Sequence, residues 1–234
     1  MPDLPIHLWY SITNLGGAGL TLPLALAIAL WLVAGYSWRM AASWVFLLGV
    51  AIGLVTLTKI AFLGWGVGVR EVDFTGISGH AMLSTAVYPV AFFLMLQGVP
   101  SVVRAAGVVM GVGVGLAVAL SRVVLDAHSP SEAVTGCIVG ALTALVFARY
   151  WWHAKAQRIS AAVVALSLAA LTVALHNVHV PTHRWVTNIA LTVSGHDRPY
   201  VRAKWKAGRT NRAPDAPISQ TRNGLTPPPQ RHAA

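Results

Sequence analysis

Apolar residues in this chain do not alternate with polar ones. They come in long unbroken runs separated by short polar stretches. Six runs stand out: Leu15–Tyr36, Ala41–Trp65, Gly79–Leu96, Val103–Leu125, Ser131–Trp152 and Ile159–His176. A hydrocarbon core of roughly 30 Å takes about 20 helical residues to cross, and these runs have that length or come near it. The absence of a period of two argues for helices and against a membrane β-barrel. The pattern therefore predicts an all-α integral membrane protein, a bundle of six transmembrane helices. Trp38, Trp44, Trp65, Trp151, Trp152 and Trp185 fall near the ends of the runs, as interfacial tryptophans do.

Composition agrees with the pattern. The 234 residues are 56% hydrophobic and 10% charged, with a mean hydropathy of +0.63. A soluble domain carries about 25% charged residues, so the hydropathy outranks a soluble reading of the length. The first 14 residues hold no Lys or Arg, so the basic region of a cleavable signal peptide is missing and the first run is expected to be retained. The single Cys137 excludes an intrachain disulfide and reads as a small buried residue. Gly107, Gly111 and Gly115 form a small-residue ridge on the fourth run, suited to helix packing within the chain or in a homo-oligomer.

Charge sets the expected orientation. The connections at 36–41, 97–103 and 153–158 share one side, and they and their flanks carry Arg39, Arg104, Arg149, Lys155 and Arg158. The opposite side holds Arg70 and Arg122 in its two loops. The excess of short-loop cations belongs in the cytoplasm, which turns the other loops to the periplasm or outside of an inner membrane. The tail complicates this: Thr182–Ala234 has nine Lys or Arg against two Asp. Long segments cross largely regardless of charge, so the tail does not overturn the orientation. The chain divides into a membrane domain at 1–181, an interfacial or re-entrant segment at 182–205 and a disordered basic tail at 206–234. The tail suits anionic lipid headgroups or solvent. Nucleic acid is not an expected partner.

Ionisable groups are scarce along these helices, so those present read as functional. Lys59 lies near the end of the second run; Arg70, Ser78, Gly79 and His80 follow it; Arg122, His128 and Glu132 bracket the next loop on the same face. Three cations and the unpaired N–H groups at a helix N-terminus suit a phosphate. Gly79 allows a ligand to approach the backbone. Arg70 and Arg122 offer forked donors and Lys59 a point charge. Two histidines can supply nucleophilic and acid steps, and Glu132 is one helical turn from His128. Each feature also has a plain reading. Ser78 suits an N-cap. Ser129-Pro130-Ser131-Glu132 has the form of a capping box with proline at the first helical position. Arg70 and Glu71 suit a solvated pair, and Asp126 a loop residue. His176, His179 and His183 read as interfacial residues rather than a metal site.

The motifs SRVVLDAHSPSE, Ser121 to Glu132, and ISGH, Ile77 to His80, resemble two parts of the signature of the phosphatidic acid phosphatase type 2 superfamily. The family has Ser-Arg, five residues, His, three residues, Asp; here Glu132 stands at the Asp position. It has Pro-Ser-Gly-His; here Ile77 stands for Pro. Its remaining part is Lys, six residues, Arg-Pro; here ten residues separate Lys59 from Arg70, and Glu71 follows. The resemblance covers about Ala41 to Trp152. It implies a six-helix lipid phosphatase in which His128 is the nucleophile and His80 protonates the leaving oxygen. It further implies that Glu132 orients His128, and that Lys59, Arg70, Ser78, Gly79 and Arg122 hold the phosphoryl group. No metal or other cofactor is implied. The expected substrate is a membrane lipid phosphate monoester or diphosphate of the phosphatidic acid, phosphatidylglycerol phosphate, polyprenyl diphosphate or lipid A phosphate class. A phosphotransferase using the same histidine, or a non-enzymatic transporter or structural protein, are the alternatives. The related vanadate haloperoxidases are soluble, which the hydropathy disfavours.

Overall fold

A computed structural model describes residues 5–154, 160–175, 178 and 180–206. The described residues form helices α1 (Ile6–Asn14), α2 (Ala18–Gly35), α3 (Trp38–Trp65), α4 (Gly79–Met95), α5 (Ser101–Val124), α6 (Pro130–Tyr150), α7 (Ala161–Leu175), α8 (Thr182–Ser194) and α9 (Arg202–Lys206), with a 3₁₀ turn at Arg70–Val72. No strand occurs among them. Each of the six apolar runs is a helix. Lys155, Arg158, His176, His179 and the tail from 207 onward lie outside the described residues.

Four stretches are long and apolar enough to cross a membrane: Ile6–Gly35, Trp38–Trp65, Ser101–Val124 and Pro130–Tyr150. Gly79–Met95 and Ala162–Leu175 are shorter apolar helices. On α2, α3, α5 and α6 the large apolar side chains point outward: Leu26, Leu30, Phe46, Leu57, Val109, Met110, Ile138 and Leu142 are all exposed. In water such a surface would drive aggregation. In a bilayer it is simply the outer wall. The chain has the architecture of a multi-pass membrane protein.

The centre of the bundle is α4, which is 17 residues long and buried along most of its length. Glycines make room for it on two sides. On α5, a side chain at Gly111 would lie 2.5 Å from Pro89 Cα, and one at Gly115 would lie 2.8 Å from Thr85 Cα. On α6, a side chain at Gly136 would lie 2.6 Å from the Ser78 carbonyl oxygen. Separations this short are closed to any Cβ, so glycine is what lets three backbones meet. The ridge of Gly107, Gly111 and Gly115 thus packs inside the chain.

Two helix starts and one tryptophan differ from the sequence expectation. Serine caps α3 at Ser37, whose hydroxyl accepts from the Met40 amide at 3.3 Å, so the helix begins before Ala41. Pro100 precedes α5, which starts at Ser101 rather than Val103. Trp44 is not interfacial. It is fully buried, its indole N–H donates to the Ala25 carbonyl at 3.0 Å, and its ring meets Phe147 edge-on at 5.6 Å. A satisfied N–H lets tryptophan act as a core residue.

At the end of the bundle where α3 and α5 finish and α4 and α6 begin, other segments close in. A side chain at Gly16, between α1 and α2, would meet the His80 carbonyl oxygen at 3.1 Å. Helix α8 crosses the end of α3, and a side chain at Gly64 would lie 3.1 Å from Ser194 Cβ. Trp185, Ile189 and Val193 form an exposed apolar stripe on α8 at intervals of four. This is the segment read as interfacial or re-entrant in the sequence; it is a 13-residue helix lying against α3.

Candidate functional site

The start of α6 is built around Glu132. Ser129 caps the helix: its hydroxyl accepts from the Glu132 amide at 3.4 Å, and its own amide donates to Glu132 Oε2 at 3.3 Å. The capping box expected from the sequence is therefore present. The same oxygen also meets His128 Nδ1 at 2.7 Å. Capping and histidine pairing are one arrangement here, not competitors. A carboxylate only accepts, so Nδ1 carries the proton and Nε2 keeps its lone pair.

The second oxygen of Glu132 is equally occupied. Thr75 donates to Oε1 from its amide at 2.7 Å and from its hydroxyl at 2.5 Å. Arg202 pairs with the same oxygen and donates from Nη2 to the Thr75 hydroxyl at 2.9 Å. Glu132 is fully buried, and such a carboxylate persists only when its acceptor sites are filled.

The start of α4 is pinned to the start of α6. Ser78, fully buried, caps α4 through its hydroxyl and donates its amide to the Glu132 carbonyl at 3.1 Å. Gly79 and His80 follow as the first two helical residues. A side chain at Gly79 would find ordinary contacts only, Val55 Cγ1 at 3.7 Å and Lys59 Nζ at 3.9 Å. The fold tolerates a Cβ there, and the Lys59 ammonium stands beside the helix N-terminus. Gly76 is different: its φ of 146° requires glycine, and Lys59 Cγ would lie 3.2 Å from an added side chain.

Arg122 ends α5. Its carbonyl accepts from the amides of Ala127 and His128, at 3.0 and 3.2 Å, which coils the loop and places the histidine. Asp126 sits exposed in that loop with a φ of 51°. The Arg122 Nη1 donates to Thr13 of α1 at 3.1 Å, while its buried Nε has no hydrogen-bond partner. Lys59 and Arg122 both bear electrostatically on His128. Burial pushes the His128 pKa below the usual histidine value; the bond to Glu132 opposes this, and Lys59 and Arg122 add to it.

The structure thus brings together His128, Glu132, Lys59, Ser78, Gly79 and Arg122, with His80 on the first turn of α4. Arg70 is exposed on the 3₁₀ turn, and its guanidinium lies over the Trp205 ring at 5.3 Å. Cation–π stacking accounts for that placement. Sequence reasoning missed Thr13, Thr75 and Arg202. The run HDRPYVRAKW did hold a signal for the last, since Tyr200 and Trp205 are docking aromatics in an otherwise polar tail.

An all-helical multi-pass membrane protein with a buried histidine–glutamate pair at one end is the class these features define. The chain is 33% identical over 199 residues to the uncharacterized 22.5 kDa protein in cps region of Klebsiella pneumoniae, and the match covers 83% of this chain and 95% of that protein. The chain belongs to the family of that protein. No family model matches it. No solved structure matches it either.

Proposed function

We propose that this protein is a lipid phosphatase of the phosphatidic acid phosphatase type 2 kind. The observation that carries the reading is the 2.7 Å pair between His128 Nδ1 and Glu132 Oε2, set between the N-termini of α4 and α6 with Lys59 and Arg122 beside it. The resemblance of ISGH and SRVVLDAHSPSE to the family signature supports it independently.

The chemistry runs in two halves. His128 Nε2 attacks phosphorus; a P–N bond forms as the bond to the leaving oxygen breaks, and His80 gives that oxygen its proton. Glu132 stabilises the imidazolium charge that develops. His80, now neutral, takes a proton from water as the water attacks the phosphohistidine. The P–N bond breaks, inorganic phosphate leaves and both histidines return to their starting states. Lys59, Arg122 and the α4 amides hold the phosphoryl oxygens through both halves. Fixed cations supply the charge stabilisation, so the reading assigns no metal or other cofactor.

The substrate is a lipid phosphate monoester or diphosphate, whose anionic head lies at the membrane interface while its chain stays in the bilayer. Helices α2 to α7 make six spans, with α4 and α7 short. Phosphate release from detergent-solubilised protein and a panel of lipid phosphates is expected to persist in EDTA and to be inhibited by vanadate, a mimic of pentacoordinate phosphorus. Turnover abolished by chelation and restored by Mg²⁺ would sink this mechanism.

The site faces away from the cytoplasm, because Arg39, Arg104 and Arg149 lie towards the other end of the bundle in short connections and their flanks. In a Cys137→Ser background, Ala127→Cys in the exposed site loop is expected to react with a membrane-impermeant maleimide in intact spheroplasts. Ala154→Cys, at the opposite end, should react only after lysis. The reverse pattern places the site in the cytoplasm.

A further inference from the structure

Arg202 belongs to none of the signature motifs, yet it is the cation in direct contact with the carboxylate that pairs with His128. Its position is built by the segment carrying it. His196 Nδ1 meets the Gly64 carbonyl at 2.7 Å, the Tyr200 amide donates to the Leu63 carbonyl at 2.9 Å, and the Trp205 indole donates to the Gly66 carbonyl at 2.8 Å. Those three carbonyls are at the C-terminal end of α3, where helical carbonyls lack intrahelical partners. The Trp205 ring packs edge-on against Phe62 at 5.5 Å and is fully in the core there. Between these anchors, Arg202 reaches inward to Glu132 and Thr75, with Nη1 3.8 Å from Asp73 Oδ2.

We propose that Arg202 is a positioning residue, fixing the Glu132 carboxylate so that one oxygen serves His128 and limiting the negative charge the histidine experiences. The segment from His196 to Lys206 is then part of the reaction unit, not a trailing linker. The inference rests on the phosphatase reading for its kinetic consequence but not for its electrostatic one.

Lys59 from α3, Arg122 from α5 and Glu132 from α6 bear directly on His128; Asp126 lies in its own loop, His80 on the first turn of α4, and Asp73 of the loop before α4 beside Arg202 of α9. Two cations, Lys59 and Arg122, act on the imidazole directly. Arg202 acts from behind, through Glu132. Removing it takes a paired cation away from that carboxylate, so more of its negative charge bears on the histidine, which favours the imidazolium. Its loss also leaves Oε1 held by Thr75 alone, a looser fixing of the carboxylate.

The test uses the full chain in detergent with isotope-labelled histidine, the His128 signal being identified by its absence in His128→Ala. The titration of His128 is expected at higher pH in Arg202→Gln than in wild type, and near the wild-type value in Arg202→Lys, which keeps the charge without the fork. With a hydrolysed lipid phosphate, kcat of Arg202→Gln should fall by about tenfold to about a hundredfold, the cost of a loosely held catalytic group. KM should stay within about twofold, and the acid limb of kcat/KM should move up with the titration. Arg202→Lys guards against a Gln variant that fails to fold. An unchanged titration in Arg202→Gln overturns the proposal, as does a change confined to KM, which would make Arg202 a substrate contact. A shifted titration in a protein that hydrolyses no lipid phosphate upholds the Arg202–Glu132–His128 coupling and overturns the phosphatase reading instead.

Discussion

His128→Ala is expected to lose more than about 10³-fold in turnover while the protein still inserts and folds. On the proposed mechanism the imidazole forms the covalent bond to phosphorus, and removal of a nucleophile costs more than removal of any group that assists it. The side chain lies in a loop, and its main packing partner, Glu132, retains Thr75, Ser129 and Arg202 when the imidazole is gone. Folding therefore has little reason to fail. Phosphate trapped on the wild-type protein during turnover should be acid-labile and absent from the variant. Retention of more than about a tenth of the activity would end the nucleophile assignment. The pH profile follows from burial, which holds the His128 pKa below its usual 6.5, so on the proposed mechanism the attacking imidazole is neutral above that value. The acid limb of kcat/KM should consequently fall below pH 6.5, where protonation of the imidazole removes the attacking lone pair.

Glu132→Ala should damage stability and activity together. It strips a buried acceptor from His128, the Ser129 amide, both donors of Thr75 and the Arg202 guanidinium. Breaking a buried ion pair by removing one partner costs about 3–5 kcal/mol, because the other charge is left uncompensated. Thermal unfolding in detergent should register that loss directly. Glu132→Gln preserves the shape and separates the effects. Its amide can donate to Nδ1 and so hold the wrong histidine tautomer, for which a loss of up to about 10⁴-fold is expected at smaller cost in stability. Near-normal turnover in Glu132→Gln would reduce the carboxylate to a helix cap.

Much of this was legible as sequence because it is local. Apolar runs became helices because a backbone in a dry environment must satisfy its own hydrogen bonds. The Glu132–His128 pair sits four residues apart, and the capping box three, so one helical turn dictates both. What stayed hidden depends on distant pairing. Thr75 meets Glu132 across 57 residues, Arg122 meets Thr13 across 109, and Arg202 meets Thr75 across 127. No periodicity encodes such meetings. Trp44 shows the same limit on a smaller scale: its place near a run end suggested an interface, but the side chain faced Ala25 and Phe147. Arg70 suited a forked phosphate contact by composition, and its stacking over the Trp205 ring, on a segment far along the chain, could not be read from that.

The shortness of α4 has a geometric consequence. Gly76 and Gly79 lie against Lys59, six residues before α3 ends at Trp65. At 1.5 Å per residue, α3 rises about 9 Å beyond the level where α4 begins. If the proposed phosphatase reading holds, the phosphate sits at the floor of a step rather than on the rim. On the proposed reading, a headgroup whose chain is already dissolved in the bilayer arrives at that depth laterally, whereas a free phosphate ester in water must descend to it with no chain to hold it there. Depth alone then sorts substrates by whether they carry a lipid tail, before any side chain has recognised what that tail is.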